Sequence, residues 1–283
     1  MTLLHHRLDG PADGRPLILG PSLGTSFAVW EPQLAASVRH HRVLRYDLPG
    51  HGGSPTSVLA DPAPGRTTVE ELAGQVLALA DHHGWPSFRY AGISLGGAIG
   101  TYLAVHRPER VDSLALVCSS ARFGEPEGWR ERAALVRGEG TRALLDQTPG
   151  RWFADPATTA ASGTGSRLLA DLAAVDSAGY AACCDALSTL DLRAELHRVT
   201  APTLVVAGLQ DPATPPPHAH ELAEGIPGAS LVELSGAAHL AGVERSDAVT
   251  AALLAHWGRA DGGTHGGIHG GIHGGTDEGE IRV

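Results

Sequence analysis

The fold is decided by the stretch YAGISLGG, residues 90–97. Its residues 92–96 match the pattern G-x-S-x-G, which places a serine in the sharp turn between a strand and a helix. Residues 87–91 are short and aromatic-containing, typical of a strand, and residues 95–105 are rich in alanine, isoleucine and leucine, typical of a helix. The flanking glycines let strand and helix approach closely. The pattern predicts Ser94 as an exposed nucleophile; the alternative is a serine that only caps the helix.

Apolar runs and helical stretches alternate along most of the chain. Most of the runs lack the polar alternation of a half-exposed strand, so they indicate buried strands of a parallel sheet. The predicted strands lie at residues 17–19, 43–46, 88–91, 114–117, 203–207 and 230–234. The predicted helices lie at residues 31–38, 68–83, 95–106, 218–224 and 245–257. This βαβ rhythm predicts an α/β fold with a mostly parallel, doubly wound sheet.

The rhythm of strands stops between residues 121 and 198, where alanine, leucine, arginine and aspartate recur at helical spacing. This segment falls after Val117 and before Thr203, so it can cover the edge of the sheet where ligands of such folds bind. The sequence therefore predicts a helical cap inserted before the last two strands. The predicted organisation is a core in two parts, residues 1–120 and 199–260, joined through the cap at 121–198.

The last residues, 261–283, carry a glycine-rich repeat with His265, His269 and His273 at every fourth position. Glycine-rich chains of this kind are flexible, so we predict a disordered tail. Regularly spaced histidines can bind zinc or nickel. Ordering a glycine-rich chain has a large entropic cost, however, which favours a solvated tail over a metal site.

The composition argues against several classes of partner. The 283 residues include 21 Lys and Arg against 31 Asp and Glu, a formal net charge of -10, which disfavours a nucleic-acid or anionic-membrane surface. The N-terminus lacks a basic start followed by a long apolar region, and no apolar run reaches the ~20 residues of a membrane span. The cysteines, Cys118, Cys183 and Cys184, are too few for a disulfide framework. We expect one principal domain in the cytoplasm, with neither nucleic acid nor membrane as partner; the oligomeric state stays open.

A serine hydroxyl needs a base that takes its proton, and the base needs an acid that orients it. On a sheet of this kind the order along the chain is Ser, then Asp or Glu, then His. Asp211 follows the predicted strand 203–207, and His239 follows the strand 230–234, so both are expected at the sheet edge that carries Ser94. Taken alone, Asp211 fits a turn residue, and a lone histidine is more often structural. The agreement of the three placements favours the catalytic reading.

Two backbone NH groups are candidates for an oxyanion hole, which needs one donor after the nucleophile and one from the loop after an early strand. Leu95 follows Ser94 directly, and Leu23 lies in the loop GPSLGT at residues 20–25. The alternative for this loop is an ordinary glycine turn between strand and helix. His51 precedes Ser94 in a turn-rich stretch, so we interpret it as structural.

With these positions placed, residues 15–258 resemble the α/β-hydrolase superfamily and, within it, the 3-oxoadipate enol-lactonase family. The segments that carry the resemblance are SLGT at 22–25, GISLGGAIG at 92–100, ARFG at 121–124, RWF at 151–153, GYAACC at 179–184, DPATP at 211–215 and GAAHL at 236–240. Several of them lie in the predicted cap and so bear on the substrate. Pro21 departs from the Asn or His that relatives commonly carry there, which affects the shape of the loop because position 21 is not the donor itself.

The resemblance implies a serine hydrolase that opens the ring of 3-oxoadipate enol-lactone through an acyl-enzyme, in the β-ketoadipate route of aromatic breakdown. It implies no cofactor and no metal. Because this small molecule is an anion with a free carboxylate, an acidic protein needs a local cation to hold it. Arg132 and Arg151 are the candidates, with Trp129 and Trp152 as candidate pocket walls. The alternatives are solvated charges for the arginines and cap core for the tryptophans.

Other functions stay open at this point. A carboxylesterase or a cofactor-free perhydrolase of the same fold uses the same catalytic set, and the sequence does not define the pocket. Outside enzymes, the fold can serve as a ligand-binding module, although a complete set of Ser94, Asp211 and His239 argues against this. Dehalogenases and epoxide hydrolases of the fold are disfavoured because they use an aspartate as nucleophile.

Overall fold

The computed structural model describes residues 2–260 and 281–282. Within them the chain builds one eight-stranded sheet whose central strands are parallel and whose edge strands are antiparallel to their neighbours. The strands are His6–Asp9 (β1), Arg15–Gly20 (β2), His41–Tyr46 (β3), Phe88–Ile93 (β4), Val111–Val117 (β5), Thr203–Gly208 (β6), Ser230–Leu234 (β7) and Ile281–Arg282 (β8).

The order of the strands explains where a site can form. The sheet runs β1-β3-β2-β4-β5-β6-β7-β8, so the chain passes from β3, on one side of β2, to β4 on the other. At such a switch the loops after the neighbouring strands diverge and leave a crevice at their carboxyl ends. Gly20 at the end of β2 pairs with Gly92 near the end of β4. The loops that follow these two strands therefore border the same crevice.

The central strands are buried on both faces. Leu17, Ile18 and Leu19 of β2 have no exposed surface, and every residue of β4 and β6 is buried. Continuous burial of this kind fits parallel strands covered by helices on both sides, and it explains the near-continuous apolar runs of the sequence. The hydrophobic effect thus fixes the register of the strands that carry the site.

Helices cover the sheet and extend over its edge. They are Glu31–Ser37 (α1), Val69–His82 (α2), Leu95–His106 (α3), Pro126–Glu139 (α4), Thr148–Trp152 (α5), Pro156–Ala161 (α6), Gly163–Ala174 (α7), Ser177–Thr189 (α8), Pro216–Gly225 (α9), Ala241–Glu244 (α10) and Ser246–Ala260 (α11). On the sheet, α1 packs against α11 and α2 packs against α3. Among the described residues, no helix combines the length and the hydropathy that a membrane crossing requires.

The segment between β5 and β6 is helical and contains α4 to α8. Helix α4 packs along α8, and Arg137 of α4 pairs with the buried Asp185 of α8 at 2.5 Å. Helix α8 begins after Asp176, whose Oδ1 accepts hydrogen bonds from the NH groups of Ala178 and Gly179. The predicted cap is therefore present as a helical insertion, while its limits at residues 121 and 198 stay a prediction.

The structure confirms the α/β class with a mostly parallel, doubly wound sheet. It also has an antiparallel strand at each edge of that sheet. All the predicted strands are present, but the sequence reading missed β1 and β8. Because β8 pairs with β7, three strands follow the cap along the chain, and Ile281–Arg282 of the predicted tail form the last of them. The rest of that tail, residues 261–280 and 283, lies outside the described residues.

Candidate active site

Ser94 lies in the strained turn that the sequence predicts between β4 and α3. Its φ of 56° and ψ of -118° place it in a backbone region that residues with a side chain rarely adopt. The neighbouring glycines explain how the turn closes: a Cβ on Gly92 would collide with the backbone of Gly96, and one on Gly96 would collide with the carbonyl of Gly20. Strand, turn and helix therefore pack too closely for any side chain at these positions.

Hydrogen bonds from the next strand hold this turn in place. The Ser94 NH donates to the carbonyl of Val117 at 3.0 Å, and the hydroxyl of Ser119 donates to the Ser94 carbonyl at 2.8 Å. Both partners stand at the carboxyl end of β5, beside β4. Ser94 as a whole residue is 5% exposed and lines a cavity instead of open surface.

Asp211 and His239 follow β6 and β7 and meet at the same edge of the sheet. The His239 Nδ1 lies 2.8 Å from Asp211 Oδ2. Because a carboxylate only accepts, Nδ1 carries the hydrogen and Nε2 keeps a lone pair that can take a proton. Both side chains are buried. This pairing is the geometry of a base oriented by an acid.

Thr214 completes the surroundings of the Asp211 carboxylate. Its hydroxyl donates to Oδ2 at 2.6 Å and its NH donates to Oδ1 at 3.0 Å, while the Ala213 NH donates to Oδ1 at 2.7 Å. Burial raises the pKa of Asp211, but the neighbouring His239 and the hydrogen bonds from His239 and Thr214 outweigh burial, so the net pKa lies below its ordinary value. The carboxylate therefore stays charged beside the imidazole at neutral pH.

Ser94 and His239 line one cavity, together with Leu23. No hydrogen bond joins the serine to the histidine among the described residues, and in unliganded enzymes this contact is often long and tightens when substrate binds. The serine, the histidine and a residue of the loop after β2 therefore border one enclosed space. Such a space suits attack on a carbonyl carbon.

Leu23 and Leu95 carry the two backbone NH groups that the sequence predicts for an oxyanion hole. Leu95 is the first residue of α3, and Leu23 lies in the loop after β2. Neither NH is donated to another group within the described part of the chain. The loop is tied to the serine turn because the Gly96 NH donates to the Pro21 carbonyl at 3.1 Å. Pro21 can therefore anchor the loop through its carbonyl, although proline has no backbone NH to donate.

The cap supplies the far wall of the cavity through all four predicted side chains, Trp129, Arg132, Arg151 and Trp152. The guanidinium of Arg132 lies 5.9 Å from the centre of the Trp129 ring. Burial and the nearby charge of Arg132 lower the pKa of Arg151. Neither arginine forms an ion pair with a carboxylate in the described residues, so two cations without a directly paired carboxylate line the cavity.

A wider groove adjoins this cavity on the side of the cap. The two spaces share Phe123, Trp129, Arg132, Arg151 and Ala213 in their walls. The two arginines thus stand where the groove meets the cavity.

Sequence reasoning missed residues whose role depends on a distant partner. Glu244 is one: its Oε2 accepts the Ala238 NH at 2.8 Å, next to His239, while its Oε1 accepts the Ala154 NH of the cap at 2.8 Å. Tyr180 of α8 is another and lines the cavity. For Thr214 a signal existed, since a hydroxyl residue three positions after an aspartate commonly closes a turn on it. Within residues 2–260 and 281–282 no group of side chains suited to a metal ion is present.

Comparison with known proteins identifies the family to which this fold belongs. A model of the alpha/beta hydrolase fold matches residues 15–246. The chain is 36% identical over 245 residues to 3-oxoadipate enol-lactonase 2 of Acinetobacter baylyi, covering 87% of this chain and 89% of that protein. Among solved structures, an enol-lactonase from Burkholderia xenovorans superposes with a TM-score of 0.84 at 37% identity, covering 90% of this chain and 96% of that one.

An esterase also stands among the similar structures. The thermophilic esterase from Thermogutta terrifontis superposes with a TM-score of 0.82 at 25% identity, covering 91% of this chain and 93% of that one. The family model matches most of the chain, and 3-oxoadipate enol-lactonase 2 is 36% identical to it. Both findings agree with the strand order and the serine turn. The chain belongs to the α/β-hydrolase family.

Proposed function

We propose that this protein is a serine hydrolase that opens the lactone ring of 3-oxoadipate enol-lactone to give 3-oxoadipate, in the β-ketoadipate route of aromatic breakdown. The observation that carries the proposal is the cavity itself, in which Ser94 and His239 face two unpaired arginines. Arginine recognises carboxylates through paired, charge-assisted hydrogen bonds, and this lactone carries a free carboxylate that such a residue can bind. The similarity to enol-lactonases supports the same substrate.

In the first half of the reaction, His239 Nε2 takes the proton of the Ser94 hydroxyl, and the serine oxygen forms a bond to the ring carbonyl carbon. The negative charge on the carbonyl oxygen is stabilised by the NH groups of Leu23 and Leu95. When the carbonyl re-forms, the bond between that carbon and the ring oxygen breaks. His239 returns its proton to the departing enolate, and the enol becomes the ketone.

In the second half, water replaces the enol. His239 takes a proton from the water as its oxygen bonds to the acyl carbon, and the bond to Ser94 breaks with return of the proton to the serine. Asp211 keeps the imidazole in the required tautomer and stabilises its positive charge. An enol leaves more readily than an alkoxide, so positioning and exclusion of water by the cap suffice in this mechanism.

The test is hydrolysis of enzymatically generated 3-oxoadipate enol-lactone, followed as loss of its ultraviolet absorbance. A short-chain aryl ester and the variant Ser94→Ala are measured beside it. Rapid loss of the lactone that depends on Ser94, with slow cleavage of the aryl ester, is the expected result. Fast cleavage of the aryl ester with the lactone untouched would overturn the substrate and leave the serine chemistry in place.

The second candidate is a carboxylesterase. Its support is the apolar share of the cavity wall, with Phe123, Trp129, Trp152 and Leu172, and the likeness to a solved esterase. Apolar walls of this kind accept an acyl or aryl group without a charge. The aryl ester in the same assay decides between the two.

A further inference from the structure

A buried histidine lies beneath the loop that carries Leu23. His51 has no exposed surface. Its Nδ1 lies 2.9 Å from the Pro49 carbonyl, and its Nε2 lies 3.0 Å from the Gly24 nitrogen. A carbonyl only accepts, so Nδ1 carries the hydrogen. Nε2 is left with the lone pair and accepts the Gly24 NH, which fixes one neutral tautomer.

We propose that His51 is a positioning residue for the oxyanion hole: by accepting the Gly24 NH it holds the peptide that follows Leu23 and so restricts the backbone of Leu23, whose own NH, in the preceding peptide, is the proposed oxyanion donor. The inference rests on the proposed serine chemistry. The sequence indicated only a structural role for His51. In this proposal His51 acts on the reaction through the backbone of Leu23 and Gly24.

The backbone of the loop shows why one hydrogen bond matters here. Gly24 has a φ of 87°, so this residue lacks the steric restriction that holds most backbones in place. Two hydrogen bonds anchor the loop. The Thr25 NH donates to the Ser22 carbonyl at 3.1 Å, and the Gly96 NH donates to the Pro21 carbonyl at 3.1 Å. Between these anchors the Gly24 NH donates to the His51 ring. Without that acceptor the peptide that follows Leu23 loses its hydrogen bond, and the Ser22–Leu23 peptide, which carries the Leu23 NH, is held among the described residues only through the Ser22 carbonyl.

The segment that carries His51 is itself rigidly held. The buried carboxylate of Asp47 accepts the Phe27 NH at 2.7 Å with one oxygen and the Gly53 NH at 2.9 Å with the other. It thereby joins the segment of His51 to the far end of the loop of Leu23. Such doubly anchored side chains hold a site to the accuracy that catalysis needs.

The cap packs on the other side of the same segment. The Asp176 NH donates to the Gly50 carbonyl at 2.9 Å, and the His51 ring stacks on Tyr180 with centroids 6.0 Å apart. Burial lowers the pKa of His51 to about 4, although the charges of Asp47 and Asp176 act in the opposite direction. At neutral pH the ring therefore stays uncharged and keeps its acceptor.

The experiment compares His51→Gln with His51→Asn. A Gln carbonyl reaches the position of Nε2 and can accept the Gly24 NH, whereas an Asn amide reaches only the position of Nδ1 and donates to Pro49. We expect His51→Asn to lower kcat on an aryl ester by about ten-fold to a hundred-fold with KM changed by less than about two-fold, and His51→Gln to recover most of the loss. His256→Phe, at another buried histidine, is the matched control and keeps kcat.

A second measurement separates positioning from loss of structure. An aryl boronic acid forms a tetrahedral adduct with a catalytic serine, so its inhibition constant is expected to rise in His51→Asn by the same factor by which kcat/KM falls, while binding of adipate, a stand-in for the dicarboxylate product, stays as in wild type. Equal kcat in wild type and His51→Asn, or equal losses of boronate and adipate binding, would overturn the inference. Failure of the wild type to react with the ester or the boronate would instead overturn the serine chemistry.

Discussion

Thr214 contacts Asp211 through a hydroxyl, although it takes no part in bond making. The hydroxyl donates to Asp211 Oδ2 at 2.6 Å, the same oxygen that receives the His239 NH. A buried hydrogen bond to a charged group is worth about 1.5–3 kcal/mol. We expect Thr214→Val to lower kcat/KM by about ten-fold, because a less stabilised carboxylate orients the imidazole less well. Steady-state kinetics with Thr214→Ser as control check this; equal losses in both variants would point to packing instead.

Arg151 and Arg132 are expected to act on binding more than on chemistry. Replacing Arg151 with Met keeps the apolar stem and removes the charge, so KM for the enol-lactone is expected to rise about ten-fold to a hundred-fold with kcat nearly unchanged. The same is expected of Arg132→Met if both cations contact the carboxylate. Arg142→Met is the control, since Arg142 is exposed on the cap. Unchanged kinetics in both pocket variants would contradict the assignment.

The placement of Ser94, Asp211 and His239 was predictable because each lies in the segment that follows a parallel strand, and parallel strands bring their carboxyl ends to one edge. Glu244 was not predictable in this way. It contacts the loop of His239 on one side and the cap on the other, and nothing in its local sequence indicates either partner. His51 was placed in a turn correctly, but its contact with Gly24 depends on the packing of two loops.

At the scale of elements, the contact between α8 and the segment after β3 depends on two glycines. A Cβ on Gly179 would lie 2.6 Å from the Gly50 Cα and 2.6 Å from the Pro49 carbonyl oxygen. We expect Gly179→Ala to lower the free energy of unfolding by about 1–3 kcal/mol, since the cap must move away from the core. Thermal denaturation measures this.

Gly74 is the matched control within a helix. It is exposed in α2, and a Cβ there would meet no atom within 4 Å. Gly74→Ala is expected to raise stability by about 0.5–1 kcal/mol because alanine loses less backbone entropy on folding. A stable Gly179→Ala would contradict the close packing of α8.

The central strands and the longer helices were predictable from apolar runs and helical spacing. The edge strands were not. β1, with the sequence HRLD, has a single apolar residue, and its pairing with β3 supplies what its composition lacks. β8 spans two residues and exists only through its pairing with β7, which no local pattern reveals.

Across the whole molecule, buried neutral histidines link stability to pH. Burial, followed by the charges of Arg259 and Arg89, lowers the pKa of His256 to about 4, and burial lowers that of His51 to about 4. An unfolded chain binds these protons near pH ~6.5, whereas the folded protein does not bind them until about pH 4. Stability is therefore expected to fall as the pH is lowered through this window, by up to about 1.4 kcal/mol per pH unit for each ring.

Urea denaturation at about pH 7, 6 and 5 tests this linkage. His256→Phe removes one of the two rings, so its stability is expected to depend less steeply on pH than that of wild type. The same slope in both proteins would show that His256 is protonated equally in the folded and unfolded states.

The substrate is the property that the sequence indicates least directly. Arg132 in α4 and Arg151 in α5 reach one cavity because the cap helices pack over the sheet, and this packing depends on contacts such as that between Arg137 and Asp185. The resemblance to a family pointed to these arginines; no local pattern did. The catalytic set depends on the sheet, whereas the pocket depends on the arrangement of the cap.

The most direct test of the account is the identity of the nucleophile. Wild-type protein is treated with a fluorophosphonate and the modified peptide is identified by mass spectrometry, with Ser94→Ala treated in parallel. We expect one phosphonyl group on Ser94 in the wild type and no modification of the variant, because only a serine activated by its base reacts readily. Modification of Ser94→Ala to the same extent, or an active wild type that stays unmodified, would contradict the central claim that Ser94 carries the reaction.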